Sequence, residues 1–93
     1  MELKYGVRKT NSFLREYKRM EKRGKNMNKL DSIIAMLAKG EPLPLKNRDH
    51  ALSGNFDGCR ECHIEPDWLL IYYIEKDILI LTLTRTGTHS DLF

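Results

Sequence analysis

Ninety-three residues, 41% hydrophobic and 31% charged, suit a single soluble domain spanning 1–93, because two separate cores would each bury too little surface to fold. No apolar run approaches the ~20 residues that cross a bilayer, and the opening MELKYGVRKT lacks the apolar stretch of a secretory signal, so no membrane contact and a cytoplasmic location are expected. The net charge of +3 hides an asymmetry: residues 1–48 hold 13 Lys and Arg against 5 Asp and Glu, and residues 49–93 hold 3 against 8. An RNA-binding surface beside an acid–base site has this character, and so has a lysine-rich solvated helix face.

The first predicted element is a short strand in which Leu3, Tyr5 and Val7 alternate with Glu2, Lys4 and Arg8. Thr10, Asn11 and Ser12 then offer helix N-caps. Phe13, Tyr17 and Met20 follow at helical spacing with Leu14 at their flank, while Arg15, Lys18, Arg19 and Lys22 form a basic stripe on the other side. Gly24 stops this helix. A second helix is predicted over about 29–39, capped by Asn28, with Asp31 in its first turn and Leu30, Ile33, Ile34 and Leu37 buried; Gly40 ends it.

Residues 40–58 carry three glycines and two prolines and read as a long loop, a length that in so small a domain usually serves a function. Three strands are predicted next, over 59–64, 68–75 and 78–85, the last two forming a hairpin through a tight Lys76-Asp77 turn. In the third, Leu79, Leu81 and Leu83 face one way and Ile78, Ile80, Thr82 and Thr84 the other, which puts Arg85 on the leucine face at the strand's end. The order β-α-α-β-β-β predicts an α+β fold with two helices on one face of a mainly antiparallel sheet.

His50, His63 and His89 all fall in or beside the loops and strand ends of the second half, near Asp49, Glu61, Glu65, Asp67 and Arg85. Imidazole titrates near neutral pH and suits general acid or base work. Alternation in the 59–64 strand puts Glu61 and His63 on one face. The competing assignment for Arg85 is an ordinary ion pair with Asp67 or Glu61. Cys59-x-x-Cys62-His63 resembles half a zinc site, but no second pair accompanies it and a strand sends the two thiols to opposite faces. No metal and no cofactor are expected, and the thiols fit a reduced compartment.

Asp49-His50-Ala51-Leu52-Ser53-Gly54, then Gly58 to Tyr72 with its His63-x-Glu65-Pro66-Asp67-Trp68 core, then Arg85-Thr86-Gly87-Thr88-His89-Ser90-Asp91-Leu92-Phe93, resemble the YafQ-type branch of the RelE/ParE toxin superfamily. Asn28-Lys29-Leu30 and Leu43-Pro44 add to the likeness, which covers essentially the whole chain. The resemblance implies a RelE-like, microbial RNase-like α+β fold. It also implies a ribosome-dependent endoribonuclease that cleaves mRNA without a metal, neutralised by a cognate antitoxin. That partner is expected to be DNA-binding through a ribbon-helix-helix N-terminus, and to lay an acidic, coupled-folding C-terminal segment on the basic helix. Carried over position by position, the catalytic residues are His50, His63, Asp67, Arg85 and His89, with Phe93 for stacking on RNA. The stripe Arg15, Lys18, Arg19 and Lys22 is the expected ribosomal RNA contact. Glu61 stands where the family often has aspartate and Cys59 where it often has an aromatic residue, and neither is given a role. Gyrase-poisoning ParE-type toxins share the fold; the three histidines separate this chain from them.

Overall fold

The computed structural model describes residues 3–93, so Glu2 of the predicted first strand lies outside it. β1 (Gly6–Lys9) is followed by α1 (Asn11–Lys22) and α2 (Met27–Ala38). Residues 40–58 hold two single 3-10 turns, Leu45–Asn47 and Gly54–Phe56, and the two-residue strand β2 (His50–Ala51). β3 (Arg60–Glu65), β4 (Trp68–Glu75), β5 (Ile80–Gly87) and α3 (His89–Leu92) complete the chain. The sheet runs β1-β5-β4-β3-β2, with β1 parallel to β5 and every other pair antiparallel. The expected α+β architecture is present, with β2 and α3 added to it.

Local chemistry accounts for both long helices. Thr10 caps α1, its side chain accepting from the Phe13 amide at 3.0 Å and donating to the Thr84 carbonyl at 2.7 Å. Gly24 ends it at φ +79, with the Lys25 amide on the Met20 carbonyl and the Gly24 amide on the Glu21 carbonyl. Gly40 closes α2 in the same way. The cap of α2 is Asn26 rather than Asn28, which starts the helix at Met27 and lets that side chain reach the core. Phe13, Met20, Leu30, Ile33 and Leu37 then pack on the sheet face formed by Trp68, Leu70, Tyr72, Leu81 and Leu83.

Three expectations are corrected. The first strand buries only Tyr5, leaving Leu3 and Val7 exposed, because only four residues pair, on the edge of the sheet. The turn after β4 spans four residues, Lys76–Leu79, with Leu79 at φ +54 and Ile78 and Leu79 exposed; Leu79 therefore leaves the leucine face. A bulge then turns Arg85 over. Tyr72 pairs with Leu83 but Ile71 pairs with Arg85, so Thr84 is the extra residue. That slip moves Arg85 to the face of Ile71, opposite the helices.

Glu16 is the unexpected core residue. It is 5% exposed, and its carboxylate accepts from Arg85 Nε and Nη2 at 2.9 and 2.7 Å and from the Thr86 amide at 3.2 Å. Thr86 accepts from the Trp68 indole at 3.0 Å and donates to the Leu69 carbonyl. Glu16→Ala would leave a half-buried guanidinium and a buried amide without their acceptor. A destabilisation of about 2–3 kcal/mol in denaturant unfolding is expected, against less than about 0.5 for Leu14→Ala on the exposed side of the same helix.

Candidate functional site

The sheet face opposite the helices carries the polar chemistry. Cross-strand partners share a face, and the pairs His50–Glu61, Glu61–Ile71 and Ile71–Arg85 place one row across β2, β3, β4 and β5. His63 lies two residues further along β3, opposite Leu69. Leu69 and Ile71 are fully buried on this side beneath Leu92 of α3, with Leu52, Phe56 and Cys59 packed around them. Cys62 faces the helices and Cys59 the other side, so the two thiols do not share a site.

The three histidines come together. Ring centroids of His50 and His63 are 6.3 Å apart, those of His63 and His89 are 6.0 Å apart, and Phe93 follows at 6.4 Å from His89. Phe56, which sequence reasoning passed over, meets Phe93 edge to face at 5.6 Å. The result is a continuous strip of rings, with Phe93 largely exposed.

Each Nδ1 faces an acceptor. In His50 it lies 2.6 Å from the Arg48 carbonyl, in His63 3.1 Å from the Pro66 carbonyl, and in His89 2.7 Å from Asp67 Oδ1. A carbonyl can only accept, so Nδ1 of His50 and His63 carries the hydrogen. Asp67 also accepts from the His89 amide at 3.0 Å; that bond first, and the ring bond second, hold its carboxyl below the usual range, so it too acts as acceptor. The working nitrogen of all three rings is therefore Nε2. Those of His50 and His63 lie 3.4 and 3.7 Å from one oxygen of Glu61, whose carboxylate is buried between them. Glu61, unassigned from sequence, stands at the centre of the cluster, and a protonated Nε2 of either ring can donate to it.

Other expectations fare differently. Arg85 pairs with Glu16, not with Asp67 or Glu61; the Glu16 hydrogen bonds raise its pKa. Its Nη1 carries no hydrogen bond among the described residues. Arg15, Lys18, Arg19 and Lys22 are exposed on α1 and form no ion pair or hydrogen bond with the histidine strip. Asp49 anchors the loop before His50: it accepts from the Tyr72 hydroxyl at 2.5 Å and from Arg60 Nε at 3.3 Å, and burial, with that bond, pushes the Tyr72 phenol well up.

Helices on one face of the sheet and a histidine strip on the other define the class: a small α+β domain with acid–base groups on its open face. The family described as "Bacterial toxin of type II toxin-antitoxin system, YafQ" matches residues 5–93. The mRNA interferase toxin YafQ of Escherichia coli K12 is 42% identical over 82 residues, 87% of each chain. In the crystal structure of the E. coli DinJ-YafQ toxin-antitoxin complex, a chain with TM-score 0.89 and 37% identity aligns over 98% of this chain and 99% of its own. A metal-bound toxin from Helicobacter pylori aligns over 96% of this chain and 99% of its own, with TM-score 0.90 and 37% identity. The chain belongs to the YafQ family of type II toxin–antitoxin toxins.

Among the described residues no group of three His, Cys, Asp or Glu side chains is disposed to hold a metal ion of the kind bound in that Helicobacter toxin.

α3, which presents His89 and Phe93, has four residues and cannot hold itself in place. A capping box between Thr88 and Asp91 starts it, and Arg23 at the end of α1 grips Asp91 with two bonds of 2.7 and 3.0 Å. The guanidinium, then the Thr88 amide, hold the Asp91 carboxyl far below the usual range of about 3.9. A depressed folded pKa stabilises at pH above the unfolded value, and that contribution fades as pH falls through the folded one. Arg23→Ala should therefore raise the Asp91 pKa toward its ordinary value and make the His89 and Phe93 amides exchange faster at pH above about 4, a difference from the wild type that shrinks as pH falls and Asp91 loses its charge in both. NMR titration reads both; unchanged values would show that the ion pair does not hold α3.

Proposed function

We propose that this chain is a ribosome-dependent endoribonuclease that cuts mRNA by histidine acid–base transesterification, without a metal, and so stops translation. The observation that carries the reading is the strip of three histidines whose Nε2 atoms are all left as the reactive nitrogens by their Nδ1 partners. The mRNA interferase name of the E. coli relative supports it. In the reaction the ribose 2′-oxygen bonds to the adjacent phosphorus as the bond to the 5′-oxygen breaks. One Nε2 takes the 2′-proton and another delivers a proton to the 5′-oxygen, leaving a cyclic phosphate and a 5′-hydroxyl. Arg85, oriented by Glu16, offers Nη1 to the phosphorane oxygens, whose charge grows in the transition state. Asp67 aims His89, and Phe93 stacks on a splayed base. A message held on the ribosome places the work in the cytoplasm.

A cognate antitoxin completes the proposal, as DinJ does for the E. coli toxin in its complex. A DNA-binding ribbon-helix-helix protein with an acidic tail that folds onto α1 fits the exposed stripe Arg15, Lys18, Arg19 and Lys22. The same stripe is proposed to grip ribosomal RNA when the antitoxin is gone.

Single-turnover cleavage of mRNA on programmed ribosomes tests the chemistry. His50→Gln, His63→Gln and His89→Gln should each lower the rate by about 10²–10⁴-fold with melting unchanged. Cleavage should also persist with a chelator selective for transition metals. Full rates in three folded variants, joined by inhibition of DNA gyrase, would transfer the protein to the ParE-type reading. Reversing Arg15 and Lys18 should flatten the salt dependence of ribosome binding by about 0.7 in log–log slope for each phosphate no longer neutralised. An unchanged slope would leave the stripe a solvated helix face.

A further inference from the structure

A groove of about 680 Å³ lies between α2 and the Pro44–Arg48 turn, beside β3, and of its side chains only His63 takes part in the chemistry above. Its apolar walls come from Ile33, Met36, Pro44 and Ile64, and its volume falls within the range of small-molecule sites. Lys29, Lys46 and Arg48 supply positive charge. The acidic residue in the lining, Glu65, is already shared by Lys25 and Lys29 at 3.2 and 3.1 Å, which lower its pKa. Lys46 and Arg48 form no ion pair among the described residues. The groove therefore combines an apolar floor with two uncommitted cations.

The groove is built into the histidine site. His63 belongs to both, and the buried Asn47 amide donates to the His63 carbonyl at 2.7 Å, closing the turn onto the end of β3. Arg48 sits at φ 47, ψ 45, a left-handed conformation that costs a non-glycine residue energy and that often marks a working site. In that conformation its carbonyl receives His50 Nδ1 while its side chain lines the groove.

We propose that this groove is a nucleotide subsite: it takes the base of an RNA residue flanking the scissile phosphate against Ile33, Met36, Pro44 and Ile64, with Lys46 and Arg48 on the adjoining phosphate. The inference rests on the ribonuclease reading. A strand whose reacting phosphate lies at the histidines must carry its neighbours across the adjoining surface, and this is the cationic, apolar-floored path that begins at His63. An acidic antitoxin segment has related chemistry, but continuity with the histidines favours the message.

The test uses the full chain and ribosomes programmed with two messages, one intact and one abasic at a nucleotide beside the cut, each flank in turn. Lys46→Glu reverses one exposed charge and leaves Arg48, whose carbonyl receives His50 Nδ1, unaltered. On intact message the half-saturating toxin concentration should rise about 10-fold while the saturating rate stays within about 2-fold, as when binding alone is weakened. Met36→Glu should weaken cleavage of intact message and make no further difference on the message abasic at the occupied flank, because there the wild-type groove has no base to hold. Equal effects of Met36→Glu on all messages would overturn the subsite and leave the ribonuclease reading standing. So would unchanged cleavage by both variants together with weaker antitoxin binding, which would give the groove to the antitoxin. Full cleavage by the histidine variants would remove the ribonuclease reading itself.

Discussion

The carboxylate of Glu16 is the point through which the two halves of this protein meet. It lies at the boundary between α1 and the far end of β5, where β1 has already ended, and it receives two guanidinium nitrogens and one amide. A buried carboxylate without such donors would be costly; with them it fixes both the height of α1 over the sheet and the direction in which Arg85 leaves its strand. The next residue, Thr86, ties the same point to Trp68 and Leu69 in β4. From this clamp the chain runs through Gly87 into α3. The position of His89 and Phe93 is thus inherited from a helix more than 60 residues earlier, which grips the segment a second time through Arg23 and Asp91.

The histidines are oriented mainly by backbone rather than by other side chains. Two of the three Nδ1 atoms face carbonyls in tight turns, at Arg48 and Pro66, and the third faces a carboxylate that also accepts from the backbone of its own histidine. Turn geometry is set by the fold itself, so the ring orientations do not wait on a ligand. Glu61 joins His50 and His63 from below, and the small apolar cluster of Leu69, Ile71 and Leu92 supports the row that carries them. Two functions of the sheet are separated by face: one buries Trp68, Leu70 and Tyr72 under the helices, and the other holds the histidine strip.

Charge divides in a corresponding way. The basic stripe of α1 is solvent-exposed and apart from the histidines, so a partner can cover one without filling the other. The groove beside His63 has cations of its own, contributed by the loop that looked structureless in sequence.

Features under short-range control were legible in the amino-acid sequence. Helical spacing of Phe13, Tyr17 and Met20, the Thr10 cap and the stops at Gly24 and Gly40 placed both long helices within a few residues; the 68–75 strand matches β4, and the strand read at 78–85 begins two residues ahead of β5. Residue chemistry singled out His50, His63 and His89, the resemblance to the YafQ family added Phe93, and the fold brings these rings side by side. The spacing also held the signal for Glu16, which lies three residues after Phe13 and four before Met20, on the buried side of the helix. Everything else waited on the packed chain. The bulge at Thr84 that turns Arg85 over, the four-residue turn at 76–79, the pairing of Glu16 with Arg85 and Arg23 with Asp91, the place of Glu61 between two imidazoles and the choice of Nε2 in each all depend on groups far apart in the chain. Caps and periodicity act over one or two helical turns and are written locally. Register, bulges and ion pairs are settled only when distant elements meet, by which hydrogen-bond partner each side chain then finds.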